Sequence, residues 1–195
     1  VAMFIPYGTD APLSRPPWGT LSFIVANIFL FTIQDSITPH SWYALEFGNG
    51  FRPIQWVLAA FAHAGPGHLI GNMIFLFSFG IVVESMMKLR HFFLLYFAIA
   101  IIENILVQAL MLGSRGGALG ASGVIYGLMM VASFGAPDKN IKWFFLHLYV
   151  RQAVSFEVPV LLVGMFYFLW DFGLAMIDGF AMSTPFLHSI GAIVG

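Results

Sequence analysis

Of the 195 residues, 59% are hydrophobic and only 9% are charged, with a formal net charge of −1. A water-soluble domain carries about 25% charged residues, so this chain lacks the polar surface to enclose a core in water. The near-neutral balance without a basic block argues against nucleic acid as a partner, and the absence of cysteine excludes disulfides, thiol catalysis and Cys-ligated metal. The expected class is all-α: a polytopic membrane helical bundle forming one domain over residues 1–195.

The chain opens VAMFIPYG, with neither an initiator Met nor a basic n-region or cleavage site, which reads as a trimmed start rather than a signal peptide. A helical span needs about 20 mostly apolar residues. In chain order the candidates are 18–37, 68–87, 91–112, 122–136, 157–177 and 185–195, giving six transmembrane helices. The last is about half a bilayer long and reads as truncated. With the N-terminus in the cytoplasm, Arg15, Lys88, Arg90, Lys139, Lys142 and Arg151 fall inside and only Arg52 and Arg115 outside, as the positive-inside rule prefers. Residues 38–67 carry Trp42, Tyr43, Phe47, Phe51 and Trp56, which predicts a loop lying in the interfacial layer.

In this topology the second, fourth and sixth spans all start on the outer side, and polar residues gather at those three starts. The second opens HAGPGHLIGN, with His63, His68 and Asn72; the fourth follows GGALGA with Ser122; the sixth carries His188. His68 and Asn72 are four apart and share a helical face, as do Ser122 and Tyr126. Gly123 and Gly127, and Gly191 and Gly195, repeat that spacing, and small residues four apart let membrane helices approach closely. The fourth span is short, ending before Pro137, which predicts that Ser122 lies below the outer surface beside a water-filled cavity. Singly, each residue has a structural reading: Ser122 as an N-cap, His188 as an interfacial histidine, His68 and Asn72 as interhelical hydrogen-bonders. Their coincidence on one side favours a functional cluster.

A serine facing a histidine supplies a nucleophile and its general base. The backbone N–H of Ser122 and the side chains of His68 and Asn72 would serve a developing oxyanion. No third acidic member is evident. Asp178 is the nearest acid, and a Ser122–His188 dyad is the economical reading.

With these residues in place, the chain resembles the rhomboid intramembrane serine proteases over nearly its whole length. GASG at 120–123 fits the family's G-x-S-G motif, with Gly120, Gly123 and the following Tyr126 in their usual places. HAGPGHLIGN resembles the second-span pattern, mapping His68 and Asn72 onto oxyanion-stabilising positions and His63 onto an outer histidine. HSIGAIVG resembles the sixth-span signature, making His188 the base and Gly191 a packing glycine. Arg52 and Glu84 also stand where the family has Arg and Glu, whereas Leu187 replaces the preferred Ala and would crowd the contact of the fourth and sixth spans.

The resemblance implies an endopeptidase that cleaves transmembrane protein substrates near the outer membrane face, with no metal or cofactor, in a bacterial inner membrane with a cytoplasmic N-terminus. By analogy FYFLW at 166–170 faces the second span as a lateral gate, and DGFAMSTPF at 178–186 caps the site with Phe180 and Met182. A metalloprotease is disfavoured because His63 and His68 are five apart and H-E-x-x-H is absent. Val124 breaks the G-x-S-x-G of an α/β-hydrolase. A transporter is weaker still, since inverted repeats are not evident. The alternative from another class is a non-catalytic relative that binds membrane clients, which usually lacks the Ser or the His.

Overall fold

The computed structural model describes residues 2–36, 42–48, 50–147, 152–181 and 183–195. Its principal helices are α1 (Trp18–Ile33), α2 (Pro53–Leu58), α3 (Pro66–Met86), α4 (Leu89–Leu110), α5 (Ser122–Gly135), α6 (Val160–Ile177) and α7 (Thr184–Val194). Six of them coincide in position with the six predicted spans. Four are long and apolar enough to cross a membrane: α1 with the short turn that extends it, α3, α4 and α6. The other two, α5 and α7, are apolar but shorter. The protein is thus an integral membrane protein with a mainly helical body.

Small residues and one carboxylate fix the first crossing. The N-cap residue of α1, Pro17, offers no side-chain acceptor, which would leave helix-terminal N–H groups unpaired. Glu84 of α3 fills the need, accepting from the backbone N–H of Gly19 at 3.0 Å and from the N–H and hydroxyl of Thr20 at 2.8 and 2.9 Å. Gly80, one turn earlier on α3, has no room for a Cβ against Thr20. Above this contact the rings of Phe23, Phe61, Phe92, Tyr96 and Phe97 stack into one apolar cluster, with Phe23 and Tyr96 parallel at 3.6 Å.

Within the segment between α1 and α3, residues 42–48 and 50–58 are tied to the helices around them. Gln108 of α4 accepts from the Trp56 indole at 2.7 Å and donates to the carbonyls of Glu46 and Gly50, while Asn104 donates to the carbonyl of Trp56. These buried amides hold α2 against α4, and a short pairing of β2 (Leu45–Glu46) with β3 (Gly117–Ala118) ties the same segment to the glycine-rich stretch before α5.

The all-α expectation needs a correction. β1 (Ala2–Thr9), β4 (Asn140–His147) and β5 (Gln152–Pro159) form an antiparallel sheet in the order β1–β4–β5. Its base is tied where Asp10 accepts from both the backbone and the side chain of Asn140 at 2.7 Å. From there the hairpin folds back along the bundle. Ile5, Pro6 and Tyr7 lie beside Ile24, Leu69 and Met73, and Trp143 packs its ring 6.3 Å from Phe75. The stretch between α5 and α6 therefore is not a simple inner loop, and the sixteen-residue hairpin contributions of β4 and β5 place Lys142 beside Glu157 at 3.9 Å. Arg151, counted toward the inner side, lies outside the described residues.

Candidate active site

Three helix starts converge as expected. One cavity of about 310 Å³ is lined by His68 and Asn72 of α3, Ser122 and Tyr126 of α5, Tyr167 of α6 and His188 of α7. A second, of about 370 Å³, approaches from the other side past Ala64, Leu119, Ser183 and Leu187, and shares His68, Ser122 and His188 with the first. Both are polar-edged recesses at one end of the bundle, hereafter the site end.

The glycine-rich stretch explains how Ser122 reaches them. Gly120 has φ 129°, a conformation open to glycine alone at little cost, and its N–H donates to the carbonyl of Ala59 at 2.8 Å. A Cβ there would meet His68 Cε1 at 2.8 Å and Nε2 at 3.0 Å. The chain thus passes beside the first turns of α3 before α5 starts at Ser122. Ser122 is the first residue of α5, the cap position is Ala121, and no side chain caps this helix. The hydroxyl of Ser122 is not spent on helix capping.

The donors predicted for an oxyanion face the same space. His68 Nδ1 accepts from the N–H of Ala64 at 3.4 Å, so the neutral ring carries its proton on Nε2, toward Gly120 and the cavity. Asn72 is 9% exposed and its Nδ2 is buried without a hydrogen-bond partner. An unsatisfied buried donor is costly, of order 1–3 kcal/mol, and an acceptor entering the cavity would relieve it. His63 lies outside both recesses. It is fully buried, edge-on to His68 at 5.2 Å, with its backbone held by both ends of the Gln34 amide at 2.6 and 3.0 Å. It supports His68 from behind.

Close helix packing brings His188 in. A Cβ on Gly191 would collide with the backbone of Gly123, and one on Gly195 with that of Gly127. Backbone therefore meets backbone along α5 and α7, as the four-residue spacing predicted. Leu187 does not crowd this contact; it packs toward the separate apolar cluster around Leu45, Phe47 and Val107. Among the described residues no hydrogen bond joins Ser122 to His188, and such bonds commonly tighten only with substrate present.

The residue missed from sequence is Asp171. It lies in the middle of α6, 7% exposed, and its Oδ2 accepts from His188 Nδ1 at 2.7 Å and from the Tyr126 hydroxyl at 2.5 Å. The Tyr126 ring stacks on the His188 ring at 4.2 Å. An intramembrane carboxylate was itself the signal. Asp178, the acid considered instead, is exposed at the end of α6. A second buried acid, Glu103 of α4, presses its carboxyl against the α-carbon side of Gly123.

The aromatic stretch of α6 divides. Tyr167 faces α3, edge-on to Phe75 at 5.4 Å, whereas Phe166, Leu169 and Trp170 point out of the bundle. Phe180 packs between Phe172 and Phe186 and lines neither recess. Met182 lies outside the described residues.

No curated protein matches the sequence. A family model described as the Rhomboid domain matches residues 51–195, which takes in α2 to α7 and every residue of the two recesses. The chain belongs to the rhomboid family.

Proposed function

We propose that the protein is an intramembrane serine endopeptidase that cleaves transmembrane protein substrates near the outer membrane face. The observation that carries this reading is the meeting of Ser122, His188, His68 and the unpartnered Asn72 amide around one recess. A client-binding relative would have no use for a nucleophile, a base and an unsatisfied donor at one spot.

In this reading Ser122 Oγ attacks the scissile carbonyl carbon while its proton passes to His188 Nε2. The carbonyl oxygen takes the displaced electron pair and is met by Asn72 Nδ2–H, His68 Nε2–H and the backbone N–H of Ser122. His188 then returns the proton to the departing amine as the C–N bond breaks. Water, giving its proton to the same imidazole, then attacks the acyl carbon, and His188 returns that proton to Ser122 Oγ as the ester C–O bond breaks. The recess must lie on the outer side for this assignment, which the distribution of Lys and Arg favours.

Labelling with a fluorophosphonate in detergent tests the proposal. Ser122 is expected to be modified and a model transmembrane substrate cleaved, and Ser122→Ala and His188→Ala should each lose both activities while retaining the wild-type melting profile. Normal turnover by either variant would refute the assignment. Asn72→Ala should slow cleavage by roughly 10–10³-fold, the range for one of several oxyanion donors.

A further inference from the structure

We propose that Asp171 is the third member of a Ser122–His188–Asp171 triad, a positioning residue that fixes the tautomer and orientation of the base. This rests on the protease reading above and extends it from two residues to three.

The geometry leaves the carboxylate no other clear task. Asp171 sits eleven residues into an apolar helix, where a buried carboxylate is tolerated only when paired and hydrogen-bonded. Both bonds it accepts come from groups of the recess: the His188 imidazole on α7 and the Tyr126 hydroxyl on α5. A bond serving only to join helices would be equally well made to any donor on either one. Here it is made to Nδ1 of His188, the imidazole that the protease reading makes the base and that lines both recesses with Ser122.

The chemical consequence follows from the two nitrogens of a neutral imidazole. One carries hydrogen and the other a lone pair, and the partner of the first decides which is which. A carboxylate oxygen accepts, so Nδ1 holds the hydrogen and Nε2 keeps the lone pair that must receive the Ser122 proton. When that proton arrives, the ring becomes a cation and the hydrogen bond from Nδ1 to Asp171 becomes charge-assisted. Asp171 keeps its negative charge throughout and takes no proton. Tyr126 completes the support. Its hydroxyl holds the carboxylate in place while its ring, stacked on the imidazole, restricts rotation about the His188 side chain.

The test compares Asp171→Asn, which keeps size and shape, with the wild-type protein. Expected is a fall in kcat on the order of 10²–10⁴-fold, the scale set by triads elsewhere, with KM within about threefold and a parallel fall in the rate of fluorophosphonate labelling. A purely structural role would lower the melting temperature and leave kcat near wild type, which would overturn the triad. Should the variant not fold, ¹⁵N-histidine NMR of the wild-type protein decides instead, with His188 assigned by its loss in His188→Gln. A protonated Nδ1 and a bare Nε2 at neutral pH are expected; the reverse tautomer would overturn the proposal. Failure of the wild-type protein to label or cleave would refute the protease reading, whereas wild-type labelling undiminished in Asp171→Asn refutes the triad alone.

Discussion

His63 shows how a single side chain behind the site becomes acid-sensitive. Its Nδ1–H donates to the carbonyl of Phe61 at 3.2 Å, its Nε2 has no partner, and no part of the ring reaches solvent. Burial, reinforced by the neighbouring His68, pushes its pKa down to about 4. The folded protein therefore holds His63 neutral where the unfolded chain, titrating near 6.5, already binds a proton. Above about pH 6.5 both states are neutral and nothing is lost; stability falls as pH drops from there toward 4 and levels off below. The full effect is on the order of 3 kcal/mol. Melting temperatures of wild type and His63→Gln, measured from pH 7 to pH 4, should show a shallower decline in the variant; parallel curves would mean that other groups set the acid limit. At this scale the site was largely legible, since Ser122, His68, Asn72 and His188 each break an apolar pattern at a helix start. Asp171 breaks one too, but in mid-helix, where no motif or charge partner nearby in sequence marks it. Its partners are 45 and 17 residues away, and only the packing of α5 and α7 on α6 brings them together.

Between elements, the contact of α5 with α7 sets His188 relative to Ser122, and glycine is what permits it. A methyl group at Gly191 would have to displace the backbone of Gly123, one residue beyond Ser122. Backbone cannot yield as a flexible side chain does, so Gly191→Ala is expected to destabilise by about 1–3 kcal/mol, the usual range for overpacking. It should also lower kcat by about 10²-fold, because displacement of roughly 1 Å suffices for such a loss. Gly173→Ala is the control: nothing lies within 4 Å of its added methyl, so melting temperature and turnover should stay near wild type. Equal effects of the two substitutions would show that helix propensity, not the α5–α7 contact, governs the response. The glycine spacing that makes this contact is local in sequence and was readable there. The sheet was not. Val154, Phe156 and Val158 alternate with Ser155 and Glu157 in a period of two, but β5 gains its place only through β4, and β4 only through β1 some 130 residues earlier. An apolar stretch between two spans is read as loop or interface unless that distant strand is known. Pro159, which ends β5, also shows why the sequence-based span began three residues early: α6 starts only at Val160.

For the molecule as a whole, the proposed protease reading gives the sheet a bearing on how a substrate helix would reach the recess. The recess opens between α3 and α6 at Gly67, Gly71, Phe75 and Tyr167, and Phe75 and Tyr167 meet edge-on across that opening. Trp143 of the central strand backs this pair. It is 6% exposed and packs against Phe75, and on its other side it borders a groove formed with Phe4, Phe156, Phe166 and Tyr167. Tyr167 is shared by groove and recess, so on the proposed function a transmembrane segment entering between α3 and α6 would meet the sheet. The indole N–H of Trp143 is buried without a partner, which offsets part of what its burial contributes and makes the wedge easier to withdraw than its size alone would imply. Trp143→Ala removes the wedge while leaving every group of the recess intact. Stability should fall by about 3–5 kcal/mol, the range for deleting a large buried aromatic, and cleavage of a transmembrane substrate should accelerate several-fold. Labelling of Ser122 by a small water-soluble fluorophosphonate, which can enter through the second recess, should not change. That divergence separates a lateral barrier from a general loosening of the site. If transmembrane cleavage and small-probe labelling rose together, Trp143 would act on the catalytic groups themselves; if neither moved, substrate would enter elsewhere and the sheet would be a passive brace between α3 and α6.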